Sequence, residues 1–473
     1  MNILLLWQTL PFKGTTSYLL AEVTNGEAYT KAVVASLMMT AGTLFLLSVL
    51  LDELCVRLSL PTVLGDLATG VILGGSILSI LVFSEVGEQA NSTMLQFLGW
   101  VTQADSETTL AAYQFQMRAF INESANIGLL TLLFVTGLES DLAELIQVGT
   151  QAATVAVTGV VLPLVVGTIA LIALFDVPTI PALFAGAALT ATSIGITAKV
   201  LQYLGRLQSS EGQIILGAAI LDDILGIVVL AIALSLVETG EIEITNIISL
   251  LISATVFVLV AILLNRYFCP VFTPFVKRFK NPAALMLFST IFINLLALTA
   301  VGIGLEALLG AFAAGLVLGG MSIKDRLIEL FEPFVYVYTT IFFVTIGARV
   351  DLSVLNPFVA ENREGLIIAA CLIVIAIIGK VGAGFVTFTN KPINRLAIGV
   401  GMIPRGEVGL VFAGLGTATG VLSESLDAAV IVMVIVTTLI APLLLKWVFP
   451  SSIKEIEKLS KAEATKELVG DKF

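Results

Sequence analysis

The sequence predicts an all-α polytopic membrane protein of about 13 transmembrane helices, with two inverted six-helix repeats and crossed discontinuous helices. Three observations carry this. Apolar runs of membrane-crossing length recur along the whole chain, loop charge alternates in sign, and glycine-rich segments recur seven spans apart.

Of 473 residues, 58% are hydrophobic and only 12% charged, too few charges to cover a water-soluble surface of this size. Runs near 20 residues suit a hydrocarbon core of ~30 Å. They cover 31–57, 59–84, 124–142, 152–175, 178–204, 211–236, 244–266, 283–302, 304–320, 330–349, 364–388, 394–418 and 426–448. The stretch 85–123 is more polar and reads as a long loop with one interfacial helix.

Alternate loops are basic: Arg57; Lys199 and Arg206; Arg266, Lys277, Arg278 and Lys280; Lys324 and Arg326; Lys391 and Arg395; then the Lys-rich tail. The others are mainly acidic: Glu85, Glu88, Asp105 and Glu107; Glu238, Glu241 and Glu243; Glu424 and Asp427. The positive-inside rule places the basic set in the cytoplasm, with the N-terminus outside and the C-terminus inside. A bacterial inner (plasma) membrane is expected, and a thylakoid or other internal membrane fits the same pattern. Histidine is absent, and Cys55, Cys269 and Cys371 are too scattered for a metal or disulfide framework. No cofactor, nucleic-acid partner or ATP-coupling motif is indicated.

Segment 64–75, LGDLATGVILGG, recurs at 309–320 as LGAFAAGLVLGG, with seven of twelve positions identical. Phe134-Val135-Thr136-Gly137 recurs as Phe343-Val344-Thr345-Ile346-Gly347, each followed by an acid and a leucine (Asp141-Leu142, Asp351-Leu352). Segment 5 ends at Leu204-Gly205 where segment 12 has Leu415-Gly416. An odd spacing of seven turns the halves upside down, which is the inverted-repeat plan of secondary transporters, with segment 7 as link.

The chemistry lies in charges placed where lipid would be. Asp222 and Asp223 stand about twelve residues into segment 6, near mid-membrane. Lys380 lies inside segment 11, and Arg405 and Glu407 inside segment 12. Each costs roughly 2.5–3.5 kcal/mol on insertion scales, so each must be paired, hydrated or proton-bound. A stabilising ion pair with Lys380 would need only one acid. Adjacent residues point about 100° apart on a helix, so one aspartate can face the lysine and the other a watery cavity. A carboxylate poised between burial and a neighbouring cation holds a proton or a small cation, not both.

Two helices are interrupted. Gly401-Met402-Ile403-Pro404-Arg405-Gly406-Glu407 breaks segment 12, because proline removes a backbone donor and clashes with the preceding turn. Thr190 to Thr197 (TATSIGIT) loosens segment 5 through hydroxyls and Gly195. These repeat partners should cross at mid-membrane, where irregular backbone survives only inside protein or beside water. Thr192 and Ser193 are candidate oxygen ligands for an alkali cation. Arg405 with Glu407 reads as a structural pair holding the break, supported by Pro404, Gly406 and Gly195. Asp66 in segment 2 suits either a funnel lining or an interfacial position. Glu139 and Arg349, at span ends, read as solvated.

Together, TATSIGITAKVLQYLG (190–205), ILGAAILDDILGIVVLAI (215–232), GMIPRGEVGL (401–410), LLFVTGLESDL (132–142) and FFVTIGARVDL (342–352) resemble the monovalent cation:proton antiporter-2 family over about 57–448. NapA-like sodium/proton antiporters are the nearest group, and the resemblance implies the NhaA/NapA-like fold. It implies that Asp223 is the main cation and proton carboxylate, binding Na+, and that Asp222 pairs with Lys380. It also implies electrogenic exchange, a homodimer and an elevator-like movement. The implied division is an extracytoplasmic segment 1–30, scaffold helices 31–149 and 283–355, core helices 150–236 and 356–450, linker 237–282 and cytoplasmic tail 451–473. Asp66 and the length of 85–123 depart from the family pattern. The same scaffold also suits a K+/H+ antiporter, a cation channel or a sodium-coupled organic anion symporter.

Overall fold

The computed structural model describes residues 26–449 except 84–89, 239–243, 277–278, 280, 351, 356–357, 359, 389–392, 407–408, 410–411, 414 and 417–418. Regular structure among them is entirely helical. The helices are α1 Gly26–Arg57, α2 Val63–Leu73, α3 Ser92–Thr102, α4 Ser106–Glu139, α5 Leu142–Phe175, α6 Thr179–Ala188, α7 Ile194–Tyr203 and α8 Ser210–Glu238. Then come α9 Ile244–Leu263, α10 Cys269–Val276, α11 Pro282–Gly302, α12 Ala307–Gly319, α13 Lys324–Ala348, α14 Ala360–Phe385, α15 Arg395–Gly401 and α16 Glu424–Val448. Among the described residues, nine helices are long and apolar enough to cross a membrane, and α2, α6 and α12 are shorter apolar helices.

Each predicted segment holds a helix, with two corrections. Segment 2 (59–84) contains only the eleven-residue α2; beyond Gly74 the chain folds back, and Ile80 and Leu81 donate to Leu73 O at 2.9 and 2.8 Å. The supposed loop 85–123 is helical from Ser92, apart from the α3–α4 junction. Asn91 caps α3, Asp105 caps α4, and a π turn at Met117–Asn122 carries α4 on to Glu139. Small and polar residues lower the hydropathy of this stretch, yet they form a continuous buried face. Ala111 and Ala112 pack on Tyr29, Ala32 and Val33 of α1, and Tyr113 donates its hydroxyl to Ile80 O at 2.8 Å.

The chain divides into two compact units, Met1–Leu138 with Thr245–Arg363, and Glu139–Ile244 with Glu364–Phe473. The first unit shows the repeat as contact. A Cβ on Gly70 of α2 would strike Val344 O of α13, and one on Gly347 would strike Leu67 O. The repeat-related pair does the same: Gly315 of α12 meets Phe134 O, and Gly137 of α4 meets Phe312 O. Gly128 meets Tyr338, its own counterpart on the register that pairs Gly137 with Gly347. Glycine is required here because any side chain would separate backbones already in contact.

The same register exposes an asymmetry. Gly65 of α2 packs on Asp52 of α1 as Gly310 of α12 packs on Ala297 of α11. Asp52 and Asp66 are 9% and 4% exposed, whereas their repeat counterparts are the buried Ala297 and Ala311. Asp66 is therefore not interfacial: it is buried and accepts a hydrogen bond from Ser48 Oγ at 2.5 Å. Arg349 is likewise engaged, donating to Asn122 Oδ1 at 3.0 Å and lying 4.8 Å over the Phe83 ring. In the second unit Glu139 accepts from Gln202 Nε2 at 3.2 Å.

Candidate ion-binding site

The second unit contains the two interruptions. After α6 the backbone turns at Leu189 and Thr190 and runs irregularly to Ser193 before α7 begins. After α15 it turns at Met402 and runs irregularly through Ile403, Pro404, Arg405 and Gly406. Proline disfavours helix in the residue before it, which fixes where the second break falls.

The breaks satisfy each other's backbone. Ser193 N donates to Pro404 O at 2.8 Å, and these residues are counterparts on the register that pairs Gly205 with Gly416. Thr192 Oγ1 donates to Met402 O at 3.1 Å and Thr197 Oγ1 to Gly401 O at 2.9 Å, covering carbonyls at the end of α15. Arg405 Nη1 donates to Thr190 O at 3.0 Å and also to Ala191 O, placing a cation at the negative end of α6. Thr438 Oγ1 of α16 donates to Arg405 O at 2.5 Å. Arg405 is fully buried, and these bonds engage only Nη1 of its guanidinium; Nε and Nη2 have no hydrogen-bond partner among the described residues.

Gly195 is buried in the first turn of α7, and Gly406 is its repeat counterpart. A Cβ on Gly406 would lie 2.8 Å from Ser193 Oγ, so glycine is what lets the second break close on the first. Ser193 Oγ is buried without a hydrogen-bond partner among the described residues. Thr192 is already spent as a donor, although its oxygen keeps acceptor capacity. Glu407 lies outside the described residues. The predicted pairing of Arg405 with Glu407 therefore lies outside the described residues, and what is described is the donation of Arg405 to carbonyls of the other broken helix.

Beside this crossing, α8 carries the aspartates. Lys380 Nζ of α14 donates to Asp222 Oδ2 at 2.9 Å, with both side chains 0% exposed. Asp222 Oδ1 is buried without a hydrogen-bond partner among the described residues. Asp222 is also within electrostatic reach of Arg405, and Asp223 within reach of Lys380. Asp223, one residue on, is half-buried, so its environment differs from that of its neighbour. The arrangement is two carboxylates of unequal exposure, a buried ammonium and a buried guanidinium, next to unwound backbone. Such a set can hold a proton or a small cation, and a charge change that strands one member of the buried pair is costly. Sequence reasoning missed Asp52 and the carbonyl role of Arg405. The first could have been found from its place four residues after Ser48 in an apolar run; the second has no sequence signal.

These features define a polytopic membrane protein with buried charged side chains beside two broken helices. The sodium/hydrogen exchanger transmembrane family model matches residues 41–450, and the chain belongs to that family. It is 51% identical over 424 residues to the high-affinity Na+/H+ antiporter NhaS3 of Synechocystis, spanning 89% of this chain and 92% of that protein. It is 30% identical over 414 residues to the Na+/H+-K+ antiporter GerN of Bacillus cereus, spanning 86% and 95%. The structure of the sodium proton antiporter MjNhaP1 from Methanocaldococcus jannaschii shares the fold, with TM-score 0.57 at 18% identity over 86% of this chain and 96% of that one.

Proposed function

We propose that the protein is a secondary sodium/proton antiporter in which Na+ (or Li+) and H+ compete for Asp222 and Asp223. The observation that carries this is the fully buried Lys380–Asp222 pair beside a second, half-buried carboxylate. Asp223 is the main carrier. Asp222 is drawn out of its ion pair when the site takes its cargo, and Ser193 Oγ and Thr192 Oγ1 offer hard oxygens to the cation. Arg405, Pro404, Gly406 and Gly195 hold the crossing. With Asp222 and Asp223 each taking a proton in exchange for one Na+, two positive charges move one way against one the other, and exchange is electrogenic. The division into two units supports an elevator-like movement of the one that carries the site. Loop charge supports a cytoplasmic C-terminus.

In liposomes with an imposed pH gradient, the purified protein is expected to dissipate the gradient when Na+ or Li+ is added, with a rate that depends on membrane potential. Dissipation by K+ alone would assign the cargo to K+, the alternative suggested by the resemblance to GerN. Cation current without obligatory proton flux would make it a channel and overturn the reading.

A further inference from the structure

Lys380 is an ammonium with no exposure to solvent, and one of its donors goes to Asp222. If Asp222 leaves the pair to take a proton or Na+, as proposed above, and Asp223 is engaged by the same cargo, the ammonium loses the carboxylate it is hydrogen-bonded to in a low-dielectric interior. Stranding one partner of a buried pair is far more costly than burying the pair. The lysine therefore needs a second acceptor within reach.

One turn of α5 supplies it. Pro163 lies inside α5 and has no N–H, so the helical hydrogen bond to the carbonyl of Gly159, four residues earlier, does not exist. Lys380 lies against that same turn. A Cβ on Gly159 would be 3.3 Å from Lys380 Nζ and 3.4 Å from its Cδ. One turn along, a Cβ on Gly379 would be 2.8 Å from Pro163 Cγ, and Gly382 faces Leu162. Glycine at 159 lets the ammonium approach the α5 backbone, and proline at 163 leaves a carbonyl there without its helical donor. Either residue alone could serve packing; the two on one turn, against a buried cation, make an acceptor site.

We propose that the proline-freed carbonyl of Gly159 is the alternative resting place of the Lys380 ammonium, occupied when Asp222 is released from the ion pair. The lysine then stays charged through the cycle and moves between Asp222 Oδ2 and Gly159 O. Gly159 and Pro163 act as positioning residues, through Lys380, and touch neither cargo.

The inference rests on the exchange reading of the site, and the test separates the two. Pro163→Ala restores a backbone N–H for Gly159 O, so the open state loses its acceptor. KM for Na+ in liposome exchange should rise about tenfold, as expected for a lost hydrogen bond to a charged group. Gly159→Ala, which pushes the ammonium off α5, should shift KM in the same direction. In a Lys380→Gln background neither substitution should change the apparent Na+ affinity, read from Na+-dependent thermal stabilisation. An unchanged KM in Pro163→Ala overturns the inference, as does an equal shift with and without Lys380, the result of a merely structural kink. If exchange survives Asp222→Asn with Asp223→Asn, the site reading falls and this inference with it.

Discussion

Lys380→Ala is expected to destabilise the protein by about 3–5 kcal/mol, because it strands Asp222 in a fully buried position. The carboxylate would then keep only its electrostatic reach to Arg405, whose Nη1 is committed to Thr190 O and Ala191 O. The sign reverses when both partners go. Asp222→Ala combined with Lys380→Ala removes acid and base together, and apolar replacements of a buried pair are often neutral or stabilising. Melting in detergent should therefore fall sharply for the single variant and recover in the double one. Equal melting of single and double variants would mean that the pair is not the fully buried contact described above.

Asp223→Asn is expected to abolish exchange while leaving the fold intact. Asparagine keeps the shape and the carbonyl oxygen, and position 223 is half-buried, so loss of the charge there is tolerated. It can neither neutralise a bound Na+ nor release a proton, and the proposed exchange uses that charge in both halves. Retained melting with exchange at background is the predicted combination. Normal exchange in this variant would remove Asp223 from the site and leave Asp222 as the sole carrier.

Much of the fold was legible because membrane insertion imposes long-range order on the sequence. The recurrence of Gly70, Gly74 and Gly137 at Gly315, Gly319 and Gly347 marks where backbones touch, and the structure uses those positions reciprocally. The breaks at 189–193 and 402–406 were readable from Pro404 and the hydroxyl-rich stretch. Other features were harder to read. Hydropathy misread residues 92–122, since alanine, threonine and glutamine bury a helix face without being strongly apolar. Asp52 was overlooked because a lone acid near the end of α1 looks interfacial, and its burial depends on contact with Gly65. Within the site, sequence located the charges of Asp222, Asp223, Lys380 and Arg405. It did not show that Arg405 would bind carbonyls of the other broken helix, because that partnership arises only when residues more than 200 positions apart cross.

The most direct test of competition between cation and proton is proton release from weakly buffered, detergent-purified protein on addition of NaCl. The medium should acidify saturably with Na+, and the signal should vanish when Asp222 and Asp223 are both replaced by asparagine. Na+ binding with no proton release, or release that persists without the two carboxylates, would contradict the account.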